Sequence, residues 1–149
     1  MSVQWHDLLG IPYELYGRDV EVGIDCWVLC ELVWKRLGVK DPPTLEGVQY
    51  GDNQTPEEQL AVVERWMAQF RDRFVSVVEG PEIPRSLRLR EGDLVWSSIS
   101  RARSGDHASV VVEPDERMVL TAAVHRGVYG EPLWAVQRKL GLYRLKELA

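Results

Sequence analysis

A cysteine at the point where the chain turns into a helix is the position in this sequence best equipped for chemistry. Gly23-Ile24-Asp25 runs directly into the apolar segment that begins at Cys26, so the cysteine falls in a first helical turn. Free backbone N–H groups and the positive end of the helix dipole favour thiolate there, and thiolate is the form that attacks. Such a nucleophile needs a base. His107 is the better candidate, because it follows the polar loop Ser104-Gly105-Asp106 and opens a Val-rich strand from whose end it can project over a cleft. The two residues must meet in space, not in sequence. Cys30, one turn deeper among Leu29, Val33 and Trp34, reads as a small core residue, and His6 as a bystander near the amino terminus. The two cysteines should not pair, since Cβ atoms four apart on a helix lie about 5–6 Å apart and a disulfide needs about 3.5–4.5 Å. With His6, His107 and His125 as the only histidines and no second Cys or His pair at zinc spacing, neither a metal site nor a cofactor is expected.

These residues need elements to position them. The spacing of Val28, Leu29, Leu32, Val33 and Leu37 predicts a helix from about Cys26 to Leu37, with Asp25 as N-cap and Gly38 then Pro42-Pro43 as the stop. Thr55-Pro56-Glu57-Glu58 is a capping box with proline at the first helical position, leading into a second helix through Leu60, Val63, Met67 and Phe70. Helical patterning extends to about Glu79. Beyond the Gly80-to-Pro84 connector the chain changes character. The turn Glu91-Gly92-Asp93 launches a strand at Leu94-Val95-Trp96, His107 to Glu113 forms another, and Arg117 to Val124 a third after the turn at 113–116. Helices first and strands afterwards indicate an α+β domain with a mostly antiparallel sheet. A three-residue hairpin loop makes residue numbers across the last two strands sum to about 230, which groups His107, Ser109, Thr121, Ala123 and His125 on one face. A slip of one residue would undo that grouping.

At 149 residues, 45% hydrophobic and 28% charged, the chain has the balance of a single globular domain spanning 1–149. A formal charge of −5 with no basic run argues against nucleic acid as a partner. The start, Met1 to Asp7, lacks the charged and apolar regions of a secretion signal, and no stretch approaches the ~20 apolar residues of a membrane span. The expectation is a soluble product made in the cytoplasm. Most of the six tryptophans should be core, and Glu57, Glu58, Glu64, Arg71 and Asp72 the solvated face of the second helix.

The spaced motifs, in order, resemble the NlpC family of cell-wall cysteine peptidases, a branch of the papain-like fold. Leu9-Gly10-Ile11-Pro12-Tyr13, Gly17-Arg18, Gly23 to Leu29 and Leu37-Gly38 look like that family's amino-terminal half. Arg90 to Val95 resembles its Pro-Gly-Asp lead into the sheet, Asp106 to Val110 its histidine strand, Arg117 to Ala122 the next strand and Leu142-Tyr143-Arg144 the closing one. The resemblance covers about residues 5 to 145. The tryptophan after Asp-Cys, the acidic segment from Thr55 to Glu79 and the lack of further domains look most like members encoded in phage tail gene clusters.

The resemblance implies amino-terminal helices packed on the sheet and a Cys-His-polar triad that hydrolyses amide bonds of peptidoglycan stem peptides. Carried over by position, Cys26 is the nucleophile, His107 the base and Thr121 the residue at the third position, where the family usually has His, Asp, Asn or Gln. His125 is a second candidate for orienting the base. The Cys26 backbone N–H and the Tyr13 hydroxyl, which matches the family's Pro-Tyr tyrosine, would hold the oxyanion. Tyr16-Gly17 and Trp27-Val28 replace smaller residues of the family and are expected to narrow or reshape the cleft. The implied partners are a peptidoglycan peptide and other phage tail proteins, and the implied location is the virion. Two other readings stay open. One is a tail-assembly module with the same fold and no turnover, and the other is a thiol acyltransferase or toxin-type amidase.

Overall fold

The computed structural model describes residues 3–44, 55, 57–58, 61–62, 64–65, 68, 71–98 and 107–149. Two short strands, β1 (Arg18–Asp19) and β2 (Gly23–Ile24), form a small hairpin that leads into α1 (Cys26–Arg36). The remaining strands are β3 (Phe74–Glu79), β4 (Leu94–Ser97), β5 (His107–Glu113), β6 (Met118–Ala123), β7 (Gly127–Pro132) and β8 (Lys139–Leu145). They make one six-stranded antiparallel sheet in the order β3-β8-β4-β5-β6-β7. The architecture is α+β, as the patterning predicts.

α1 begins where its sequence says it should. Asp25 is extended, and its carboxylate accepts the Val28 N–H at 2.9 Å, satisfying one of the donors that a helix start leaves unpaired. The helix packs on β5 and β6, burying Leu29, Cys30, Val33 and Trp34 against Ala108, Val110, Leu120 and Ala122. Trp27 turns into this core at 1% exposure, edge-on to Trp34 and Trp96, with its ring N–H on the Pro43 carbonyl at 3.0 Å. It therefore sits in the core and does not itself line a cleft, because its apolar area and single donor are both accommodated inside. Trp5 is likewise buried, Trp134 is 81% exposed, and Trp66 lies outside the described residues.

The opposite face of the sheet has a smaller apolar layer, in which Val95, Val111, Val119 and Leu142 pack under Leu89, Leu133 and Val136. The sheet is thus covered on both sides. Asp93 makes the corner where β4 begins: fully buried, it accepts the Arg90 N–H at 2.9 Å and takes Arg144 in two bonds at 2.7 and 2.8 Å.

Three readings of the chain need correction. Phe74 to Glu79 is strand β3 and not the end of a helical region; its Val-rich stretch fits a pleated surface and pairs with β8. β7 occupies a segment in which no strand was expected, and β8 is longer than Leu142-Tyr143-Arg144. Arg117, with φ 53°, belongs to the turn, and Val124 leaves the strand 56% exposed, so β6 is shorter than Arg117 to Val124. In the second helical segment, Thr55 and Glu58 exchange reciprocal side-chain-to-backbone bonds at 3.2 and 3.4 Å. Glu57, Glu58, Ala61, Val62, Glu64, Arg65 and Ala68 are helical, while Leu60, Val63, Met67 and Phe70 lie outside the described residues. Glu57, Glu58, Glu64, Arg71 and Asp72 are exposed as expected.

Candidate functional site

A short strap of chain builds the start of α1. The Ile24 N–H bonds the Pro12 carbonyl at 2.9 Å, and Ile24 in turn accepts the Glu14 N–H at 3.1 Å, while Tyr13 bridges to Ile24. A Cβ at Gly17 would collide with the Gly23 carbonyl and with Glu14, so only glycine lets the 14–17 turn lie this close to β2. Arg18 ties the strap to the helix through two bonds to Glu31, at 2.9 and 3.1 Å. Burial pushes the Glu31 carboxyl up, and Arg18 partly offsets the shift. Asp25 is also pushed up by burial, against the pull of the Val28 and Trp27 N–H groups. The cap therefore holds the Val28 N–H, the third of α1.

The same strap joins the helix start to one end of the sheet. The Ile11 carbonyl accepts the Val128 N–H, and the Gly10 N–H donates to the Val128 carbonyl, each at 2.9 Å. A Cβ at Gly127, whose φ is 70°, would strike the Ile11 carbonyl, so this junction also depends on glycine. Gly127 pairs with Ala123 at the end of β6, and His107 is the first residue of the neighbouring β5. Cys26, Tyr13 and His107 thus belong to elements that gather at one end of the sheet. Cys26 is 8% exposed and His107 7%, and Tyr13 is half-buried against the core. Cys30 is sealed, and burial pushes its thiol well up.

The pairing matches the expected sum of 230, with Val110 facing Leu120 and Val111 facing Val119, but not through a three-residue loop: the turn takes residues 114–117, Glu113 faces Met118, and a bulge between Val111 and Glu113 restores the register. Alternation then places His107, Ser109 and Thr121 on one face, away from Ala108, Val110, Leu120 and Ala122 under α1. Thr121 Oγ1 lies 2.6 Å from His107 Nε2. His125 does not join them; it has φ 70°, sits in the turn between β6 and β7 and is exposed. His6 stacks on Trp5 at 3.9 Å, away from this end of the sheet.

The face that carries the imidazole also carries two serines. Ser97, opposite His107, and Ser109 are both buried, and neither hydroxyl has a hydrogen-bond partner. Alternation already placed Ser109 on the His107 face, but Ser97 needed the β4–β5 register. Among the described residues no cluster of His, Cys, Asp and Glu could hold a metal ion, and no helix is long and apolar enough to cross a membrane.

No protein-family model matches the sequence, and no curated protein sequence matches it. A solved structure does: a crystal structure from Staphylococcus aureus subsp. aureus Mu50, described as similar to a lipoprotein of the NLP/P60 family. Identity is 18% and the TM-score 0.51; the match covers 93% of this chain and 38% of that one. The chain therefore spans well under half the length of the protein it matches. At this identity the likeness shows a common fold and nothing about activity: the chain shares its α+β architecture with an NLP/P60 protein.

Proposed function

We propose that the chain is a papain-like cysteine peptidase or amidase acting on peptidoglycan stem peptides. The observation that carries this reading is the capped helix start at Cys26, strapped to the sheet end where His107 begins β5 with its Nε2 held by Thr121. The fold shared with an NLP/P60 protein adds support. In the reaction, Cys26 thiolate attacks the amide carbon and a C–S bond forms, with the negative charge moving to the carbonyl oxygen. The Cys26 N–H and the Tyr13 hydroxyl stabilise that oxyanion. Protonated His107 gives its proton to the leaving nitrogen as the C–N bond breaks, leaving a thioester. His107 then takes a proton from water, whose oxygen displaces the sulfur and releases the new carboxylate. Nδ1 carries this exchange, because Thr121 engages Nε2.

A second reading has its own observation. Thr121, which engages His107 Nε2, is a short uncharged hydroxyl that brings no charge to stabilise an imidazolium; a phage tail-assembly module with no turnover needs none. Purified protein incubated with cell-wall sacculi separates the two. Release of free amines that disappears in Cys26→Ala supports the peptidase, and equal release from both proteins removes it. Tail genes beside the coding sequence would support delivery of this activity in a virion.

A further inference from the structure

A threonine hydroxyl can face a neutral imidazole nitrogen in two ways, and only one of them makes a base. If Thr121 Oγ1 accepts from Nε2–H, the lone pair is on Nδ1; if it donates to Nε2, Nδ1 carries the proton and cannot take another. A carboxylate at this position could only accept, but a hydroxyl does not choose by itself. The choice turns on what takes the hydroxyl's own proton, together with what faces Nδ1. His107 is the one partner of Thr121 Oγ1 among the described residues.

The register supplies a candidate. With Val110 facing Leu120 and Val111 facing Val119, Ser109 lies opposite Thr121 on the same face of the hairpin. It is 0% exposed, and its Oγ has no hydrogen-bond partner, although buried hydroxyls are almost always paired. Opposed side chains on one face have Cβ atoms about 4.5–5.5 Å apart, so a step about χ1 or one intervening water brings Ser109 Oγ to the Thr121 hydroxyl. We propose that Ser109 is a positioning residue that accepts the Thr121 hydroxyl proton and so holds His107 as the Nε2–H tautomer with Nδ1 basic. The proposal rests on His107 being the base of the reaction above, but the tautomer is measured without turnover.

The experiment is nitrogen-15 NMR of the full chain with labelled histidine, at a pH where His107 is neutral. The wild type should show a protonated Nε2 and an unprotonated Nδ1. Ser109→Ala should lower the ratio of Nε2–H to Nδ1–H by about 5- to 10-fold, the equivalent of one ordinary hydrogen bond. Ser109→Thr, which keeps the hydroxyl, should preserve the ratio. Ser97→Ala, which removes the other unpartnered hydroxyl of this face, should also preserve it. A wild-type His107 protonated on Nδ1 overturns the proposal, and so does an unchanged ratio in Ser109→Ala or an equal shift in Ser97→Ala. The first of these needs no variant to fold. An Nε2–H tautomer that depends on Ser109 in a protein without hydrolase activity would uphold this inference and reject the peptidase.

Discussion

His107 Nε2 and Thr121 Oγ1 meet at 2.6 Å across β5 and β6, one step diagonal to the direct cross-strand pair. The pair is buried, so the hydroxyl does for the ring what solvent cannot, but it brings no charge to stabilise an imidazolium. Thr121→Val keeps the volume and removes the hydroxyl. It should cost about 1–3 kcal/mol of stability by leaving Nε2 unpaired, and urea denaturation checks this. On the peptidase reading kcat should fall by about 10- to 100-fold, measured as the initial rate of amine release.

Labelling of the native protein with iodoacetamide should modify Cys26 and spare Cys30, which is fully buried with its thiol pushed up. Thiolate favoured by the helix start and a nearby imidazole should react rapidly at neutral pH, whereas an ordinary thiol of pKa about 8.5 gains rate mainly above it. His107→Gln should move the wild-type profile towards the ordinary one. A profile that is ordinary in both proteins favours the assembly module.

Arg144→Met should destabilise the fold strongly. It leaves Asp93, 0% exposed on its side chain, with a charge whose guanidinium partner is gone. Loss of one member of a buried pair costs about 3–5 kcal/mol, read as a lower denaturation midpoint. A change below about 1 kcal/mol, the range of an exposed pair, would mean that the pair contributes as a surface bridge does.

Glu31 and Asp25 should make stability fall as pH rises. Burial lifts both carboxyls above their ordinary values of 4.5 and 3.8, so the folded chain retains protons that the unfolded chain has released. The contribution is fully present below those ordinary values and is lost as pH climbs through the raised folded ones. Glu31→Gln keeps a bonding group for Arg18 and removes one of the two titrations. The drop in unfolding free energy between mildly acidic and neutral pH should therefore be smaller in the variant. A larger drop in the variant would mean that Arg18 outweighs burial.

What the sequence determined by itself was local or periodic. Asp25 and the apolar steps after Cys26 set the start of α1, because a cap and a repeat near 3.6 are read within a few residues. Alternation along the two strands grouped Thr121 with His107, but the loop did not set their register: the turn takes four residues, 114–117, and a bulge between Val111 and Glu113 restores the pairing that a three-residue loop would have given. β3 and β7 were not legible, since each is made a strand by partners far away in the chain, β8 for one and β6 for the other. Only the tertiary structure decided that Trp27 turns inward, that His125 closes a turn, and that Ser97 and Ser109 are buried unpaired on the face that carries the imidazole. Burial and hydrogen-bond pairing depend on which distant surfaces meet, and no window of neighbouring residues contains that information.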